Sequence, residues 1–205
     1  GLDLIRWVRE RNKTVPVVVM TGFASPESAR EALNLGIDSY IEKPFPVVME
    51  VPDLMNELVE SGRPGWLPGQ ADVPVSRSSG GTRPARLLLA TTASNGSALG
   101  DPLLAAAPPG STLELHSTLQ ELLAAVAASP KPDIVVVDAY LFDEIVLVVE
   151  AIREESEFVS IAIVTVSAPS LNILQQLILL GVTQLLDRNP DAYAAHVARV
   201  VRGLA

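Results

Sequence analysis

"GIDSYIEKPF", Gly36 to Phe45, runs a short, largely apolar segment into a lysine and then a proline. "IDSYIEK" reads as a strand bounded by Gly36 and Pro44, so Lys43 leaves its end as a long cation at the mouth of the fold. Upstream, "SPESAREALNLG" reads as a capped helix, with Ser25 at the N-cap, Pro26 in the first turn and Gly36 as the stop. "VPVVVMTG" before it is a buried-type strand that starts after Pro16 and closes at Gly22. "GLDLIRWVRERNKT" places Leu4, Ile5 and Val8 on one helical face with Trp7 at its edge. Downstream, "VPDLMNELVESG" reads as a helix with Pro52 in its first turn. Helix, strand, helix, strand, helix is the later portion of a doubly wound α/β unit.

Composition sets the outer limits. The 205 residues are 48% hydrophobic but only 4% aromatic, an aliphatic bias that favours buried parallel strands under helices. The net charge of -9 argues against a nucleic-acid surface. With no cysteine there is no disulfide, thiolate metal site or cysteine nucleophile. A cysteine-free acidic chain fits the cytoplasm. No run reaches the roughly 18 apolar residues of a membrane span, and no signal peptide opens the chain. Because Gly1 already lies inside a helical pattern, the chain is expected to start partway through a domain.

From Gly62 to Pro84, "GRPGWLPGQADVPVSRSSGGTRP" breaks every periodicity and reads as a linker. A full series follows: strands at "ARLLLATT", "STLELHS", "PDIVVVDAY", "SIAIVTVSA" and "VTQLLDR" alternate with helices. The first of those helices, "SNGSALGDPLLAAA", reads as short or irregular. The last, "DAYAAHVARVVRGL", turns Ala194, Val197 and Val200 toward a core. Five strands alternating with helices predict a flavodoxin-like (βα)5 sheet of order 2-1-3-4-5. The expected domains are 1–61, a partial unit; 62–84, the linker; and 85–205, a complete unit. The two units repeat each other, since Gly36 falls on Gly181 and Arg9-Glu10 falls on Arg153-Glu154 once a one-residue gap is allowed.

The string "GLDLIRWVRE…VPVVVMTG…EALNLGIDSYIEKPF" resembles the second half of the receiver domain of bacterial two-component response regulators. Taken singly, a Lys-Pro after a strand is a solvated turn and a Thr after "VVVM" is a strand end. It is the spacing of Thr21, Tyr40, Lys43 and Pro44 that carries the likeness. The resemblance implies phosphorylation of an aspartate that would lie shortly before Gly1, with Mg²⁺ held by further carboxylates upstream. In that setting Lys43 would meet the phosphoryl oxygens and Thr21 would offer them a hydroxyl. Tyr40 would move as Thr21 is drawn in, and Pro44 would be a cis proline aiming Lys43. The implied protein is a regulatory module with no catalytic residues of its own. Autophosphorylation from a phosphodonor would need the intact first receiver.

In the second copy Asp138, ending "DIVVVD", falls where the acceptor would be. Thr91 and Thr92 replace the expected acids, and hydroxyls hold Mg²⁺ poorly. Thr165 and Ser167 compete for the switch threonine, Leu185 takes the aromatic position, and the lysine position falls on Arg188 or Asn189. Asp138 is therefore expected to be a degenerate acceptor, a partly solvated strand-end acid with no phosphoryl role. Asp143 and Glu144 are expected to cap and favour the next helix N-terminus. His116 and His196, the only histidines, suggest no metal cluster or triad. The implied function is phosphorelay signalling by a receiver followed by a pseudo-receiver that works through protein contact. A histidine kinase or other signalling protein, a second copy, or the other receiver would be the partner. The alternative is the C-terminal tandem receivers of a hybrid histidine kinase, both taking part in phosphoryl transfer. Mg²⁺ would be needed by the intact first receiver and not by the second unit.

Overall fold

The computed structural model describes residues 1–12, 15–43, 83–157 and 159–202. Pro44, the helix expected in 51–62 and nearly all of the 62–84 linker lie outside the described residues. The first unit has α1 (Leu2–Arg11), β1 (Val18–Thr21), α2 (Pro26–Asn34) and β2 (Ser39–Glu42), with β1 and β2 paired in parallel. The second unit has β3 (Arg86–Ala90), a 3₁₀ turn (Ala93–Asn95), α3 (Gly96–Ala106), β4 (Thr112–His116), α4 (Leu119–Ala127) and β5 (Ile134–Asp138). It continues with α5 (Ile145–Glu155), β6 (Ser160–Thr165), α6 (Leu171–Leu179), β7 (Gln184–Asp187) and α7 (Pro190–Arg202). Its five strands are all parallel in the order β4-β3-β5-β6-β7, the 2-1-3-4-5 arrangement that the alternating pattern predicts.

Period-2 burial builds the sheet. Leu88, Val135, Val137, Ile161 and Ile163 face α4, α5 and α6, whereas Leu87, Leu89, Val136, Ala162 and Val164 face α3 and α7. Every residue of β5 is buried, so the central strand reads as an unbroken apolar run closed by Asp138. The first unit adds to one of these cores: Ile5, Ala32, Leu33, Ile37 and Tyr40 join the same cluster as Leu174, Leu177 and Leu185. α2 packs on α6 and β7, and α6 packs on β2.

The repeat seen in the sequence is structural. Gly36 and Gly181 both end a helix with positive φ, 80° and 70°, where a Cβ would be strained. Arg9 Nε donates to Gly36 O at 2.9 Å and Nη1 to Val15 O at 2.7 Å. Arg153 copies this, with Nε on Leu180 O at 2.7 Å, Nη2 on Gly181 O at 2.8 Å and Nη1 on Val159 O at 2.7 Å. Each arginine thus ties its helix to the following strand and to the helix C-terminus beyond it. Arg9 also bonds Asp38 at 3.1 Å, and burial lowers its pKa against that partner's pull. Burial pushes the Arg153 guanidinium down to about 10, which still leaves it charged at neutral pH.

Some sequence expectations are corrected. Leu4 shares the helical face of Ile5 but is 65% exposed, because it lies on a flank of α1 that the described residues leave uncovered. α3 is a regular helix of 11 residues that accommodates Pro102. Glu144 occupies the N-cap of α5 but makes no side-chain capping bond. On α7, Val197 is buried but Ala194 is exposed; the anchor is Tyr193, whose hydroxyl donates to Leu99 O at 2.9 Å. Val200 lies among residues whose side chains are outside the description. Ser25 and Pro26 stand as expected, and Ser25 and Ser28 form a reciprocal capping box.

Arg153→Ala would strand several buried carbonyls at once. We expect it to lower unfolding stability by about 2–3 kcal/mol, read as a fall in the urea midpoint. Arg153→Lys should recover only part, because one ammonium cannot reach the carbonyls spread around the edges of the guanidinium.

Candidate functional site

In an open parallel sheet the chemistry gathers at the C-terminal ends of the strands. In the first unit Thr21 ends β1 and Lys43 follows β2, and Lys43 N donates to Thr21 O at 2.7 Å. The Thr21 hydroxyl accepts from Phe23 N at 3.0 Å, which fixes the turn after β1. Lys43 is exposed. Tyr40 is 5% exposed, with its hydroxyl 2.7 Å from Ser28 Oγ on α2. The structure therefore brings Thr21 and Lys43 side by side and seats Tyr40 against α2. An open apolar groove of about 430 Å³ runs along Leu4, Val8, Val18, Met20 and Phe23.

The second unit resolves both open alignments. Arg188 N donates to Thr165 O at 2.9 Å, the same bond that Lys43 makes to Thr21. Thr165 and Arg188 are therefore the positional equivalents of Thr21 and Lys43, and Ser167 and Asn189 are not.

Asp138 departs from its expected setting. It is 0% exposed and not a partly solvated acid. Its Oδ2 accepts from Thr91 Oγ1 at 2.8 Å, and its Oδ1 accepts from Arg188 Nη1 and from Tyr140 N, each at 3.1 Å. The physical reason is desolvation. A carboxylate at the end of the central strand, under α/β packing on both faces, has to be paired, and Arg188 supplies the cation. The guanidinium also lies 5.2 Å from the Tyr140 ring centroid, so the loop after β5 covers it from outside. Nearby, burial and the Asp138 charge push the Tyr193 phenol upward.

This donor set does not fit Mg²⁺. It offers one carboxylate, already neutralised by a guanidinium, and a hydroxyl, where the ion wants several anionic or water oxygens. Among the described residues no group of three or more His, Cys, Asp or Glu could hold a metal ion. His116 ends β4, 3.9 Å from Glu114, and His196 lies on α7.

Asp138 and Arg188 are marked in the sequence by position, but nothing there pairs them. The available signal was the repeat itself: a cation at the lysine position opposite an acid at the acceptor position. Tyr193 went unnoticed, because a lone aromatic in an alanine-rich helix carries no pattern.

Residues 1–51 match the model of the response regulator receiver domain. The chain is 38% identical over 45 residues to the transcriptional regulatory protein CusR of Escherichia coli (strain K12), covering 22% of this chain and 20% of that protein. It is likewise 38% identical over 45 residues to the response regulator RppA of Synechocystis sp., covering 22% and 19%. The chain thus spans about a fifth of the length of these curated relatives. Among solved structures, the chemotaxis protein CheY4 of Vibrio cholerae superposes with a TM-score of 0.48 at 19% identity, over 60% of this chain and all of that one. HP1043, an orphan response regulator of H. pylori, gives 0.48 at 16% identity over 59% and 97%. No described helix is long and apolar enough to cross a membrane. Residues 1–51 are thus similar to the response regulator receiver domain.

Proposed function

We propose that this chain is a signalling module in which a receiver unit, residues 1–61, is followed by a second receiver-like unit, residues 85–205, that has given up phosphoryl transfer and works by protein contact. The observation that carries the second half is the Arg188–Asp138 ion pair in a site with no exposed carboxylate surface. Phosphorylation needs a carboxylate oxygen free to attack phosphorus and a divalent ion to neutralise the incoming charge. Here both oxygens are engaged, and a guanidinium occupies the position equivalent to the lysine.

In the first unit, Thr21, Tyr40, Lys43 and Pro44 are the switch residues of this reading. The contact between the Thr21 and Lys43 backbones supports it by setting the hydroxyl and the ammonium at one end of the sheet. Receivers typically bind Mg²⁺ and take their phosphoryl group from a histidine kinase. On this reading both belong to the first unit, with the protein in the cytoplasm.

Incubation with Mg²⁺ and acetyl phosphate, followed by mass spectrometry of the peptide containing Asp138, is expected to find no phosphoryl adduct. An adduct that disappears in Asp138→Asn would favour the alternative, tandem receivers that both transfer phosphoryl groups.

The ion pair has its own test. Arg188→Ala should cost about 3–5 kcal/mol by leaving a buried charge unpaired. Adding Asp138→Asn should return a good part of that loss, a coupling measurable in a double-mutant cycle of urea midpoints.

A further inference from the structure

Beside the Asp138–Arg188 pair, a cleft of about 350 Å³ lies between α3 and α7, lined by Asn95, Ala98, Leu99, Arg188, Pro190 and Tyr193. A volume of this order, at the low end for ligand sites, suits a small organic molecule. The two helices are tied at its wall by the Tyr193 hydroxyl, which donates to Leu99 O at 2.9 Å. That bond satisfies the buried phenol, so the Tyr193 side chain needs no polar partner from the cleft.

Two other lining side chains do have capacity to spare. Arg188 commits Nη1 to Asp138, and its Nε and Nη2 donate to no group among the described residues. The Tyr140 ring lies over the face of the guanidinium, so an incoming acceptor has the edge to use, where the N–H groups point. Asn95 stands at the N-cap of α3 without a side-chain capping bond, which leaves its amide uncommitted. None of the six lining residues is acidic, and the other four offer apolar surface.

We propose that this cleft binds a small monocarboxylate with an apolar body, its carboxylate on the free edge of Arg188 and its body against Ala98, Leu99, Pro190 and Tyr193. A planar carboxylate matches the N–H fork of a guanidinium, and the bonds are charge-assisted. A phosphate fits less well. It would bring more negative charge toward Asp138, which already shares Arg188, and no second cation lines the cleft to offset that repulsion. A purely apolar molecule would fit less well too, because it would cover the Arg188 and Asn95 donors without pairing them. The proposal gives the second unit a ligand of its own, beyond protein contact, and it needs no statement about phosphoryl transfer at Asp138.

The test uses the full chain and three probes: sodium benzoate, its neutral analogue benzamide, and inorganic phosphate. NMR follows the Ala98 and Leu99 amides and the Arg188 Nε–H, with the Leu177 amide as a distant control. Benzoate should shift the first three saturably, with a dissociation constant of about a millimolar for so small a probe. Benzamide should bind about tenfold more weakly, the difference between charged and neutral hydrogen bonds. Ala98→Trp, at an exposed position on α3, should fill the cleft and abolish the benzoate shift at Leu99 without moving Leu177. Asp138→Asn, which removes the competing carboxylate, should tighten benzoate by about threefold or more. The proposal is overturned by no saturable benzoate shift, by benzamide or phosphate binding as tightly as benzoate, or by benzoate shifts that persist in Ala98→Trp. Unchanged or weaker benzoate binding in Asp138→Asn would also overturn it, since Arg188 would then not be the anchor.

Discussion

A carboxylate buried at the end of the central strand needs a counter-charge, and the second unit is organised around that need. Asp138 closes an unbroken apolar strand and has no exposed surface. Arg188 comes from the loop after the edge strand, Thr91 from the loop after β3, and the Tyr140 amide from the turn that follows Asp138 itself. Three of the five strands thus converge on one side chain. The convergence seals a charge at the end of the sheet where an open α/β fold gathers its chemistry.

The second constraint is the sheet edge. A parallel sheet of aliphatic strands is buried on both faces by its helices but leaves its outer strands with unpaired backbone groups. β7 meets this through Asn34, and β2 meets it in part through Gln175. A pair of long-range amide contacts therefore joins two units whose sequences repeat one another, at equivalent positions. The strand that carries Tyr40 is held in this way by its neighbour's helix.

Much of the fold was legible in the sequence because the signals were local and periodic. Aliphatic runs between helix caps located all five strands of the second unit, and the glycines at 36 and 181 showed where helices must stop. The aligned arginines at 9 and 153 marked the repeat, although not their job of bonding carbonyls on two elements. The candidate site was legible by position only. Asp138 and Arg188 were visible as equivalents of functional residues, but pairing and burial depend on how three loops converge, which spacing does not encode. Asn34 and Gln175 were illegible, since an amide on a helix surface looks the same whether it faces water or another strand.

We propose that Arg188 supplies at Asp138 the positive charge that a divalent cation would otherwise bring. Mg²⁺ titration of the full chain, followed through the Tyr140 amide that donates to Asp138 Oδ1, tests it most directly. The account predicts no saturable shift of that amide at millimolar Mg²⁺. A saturable shift that vanishes in Asp138→Asn would contradict it, and would mean that the guanidinium yields its place to the ion.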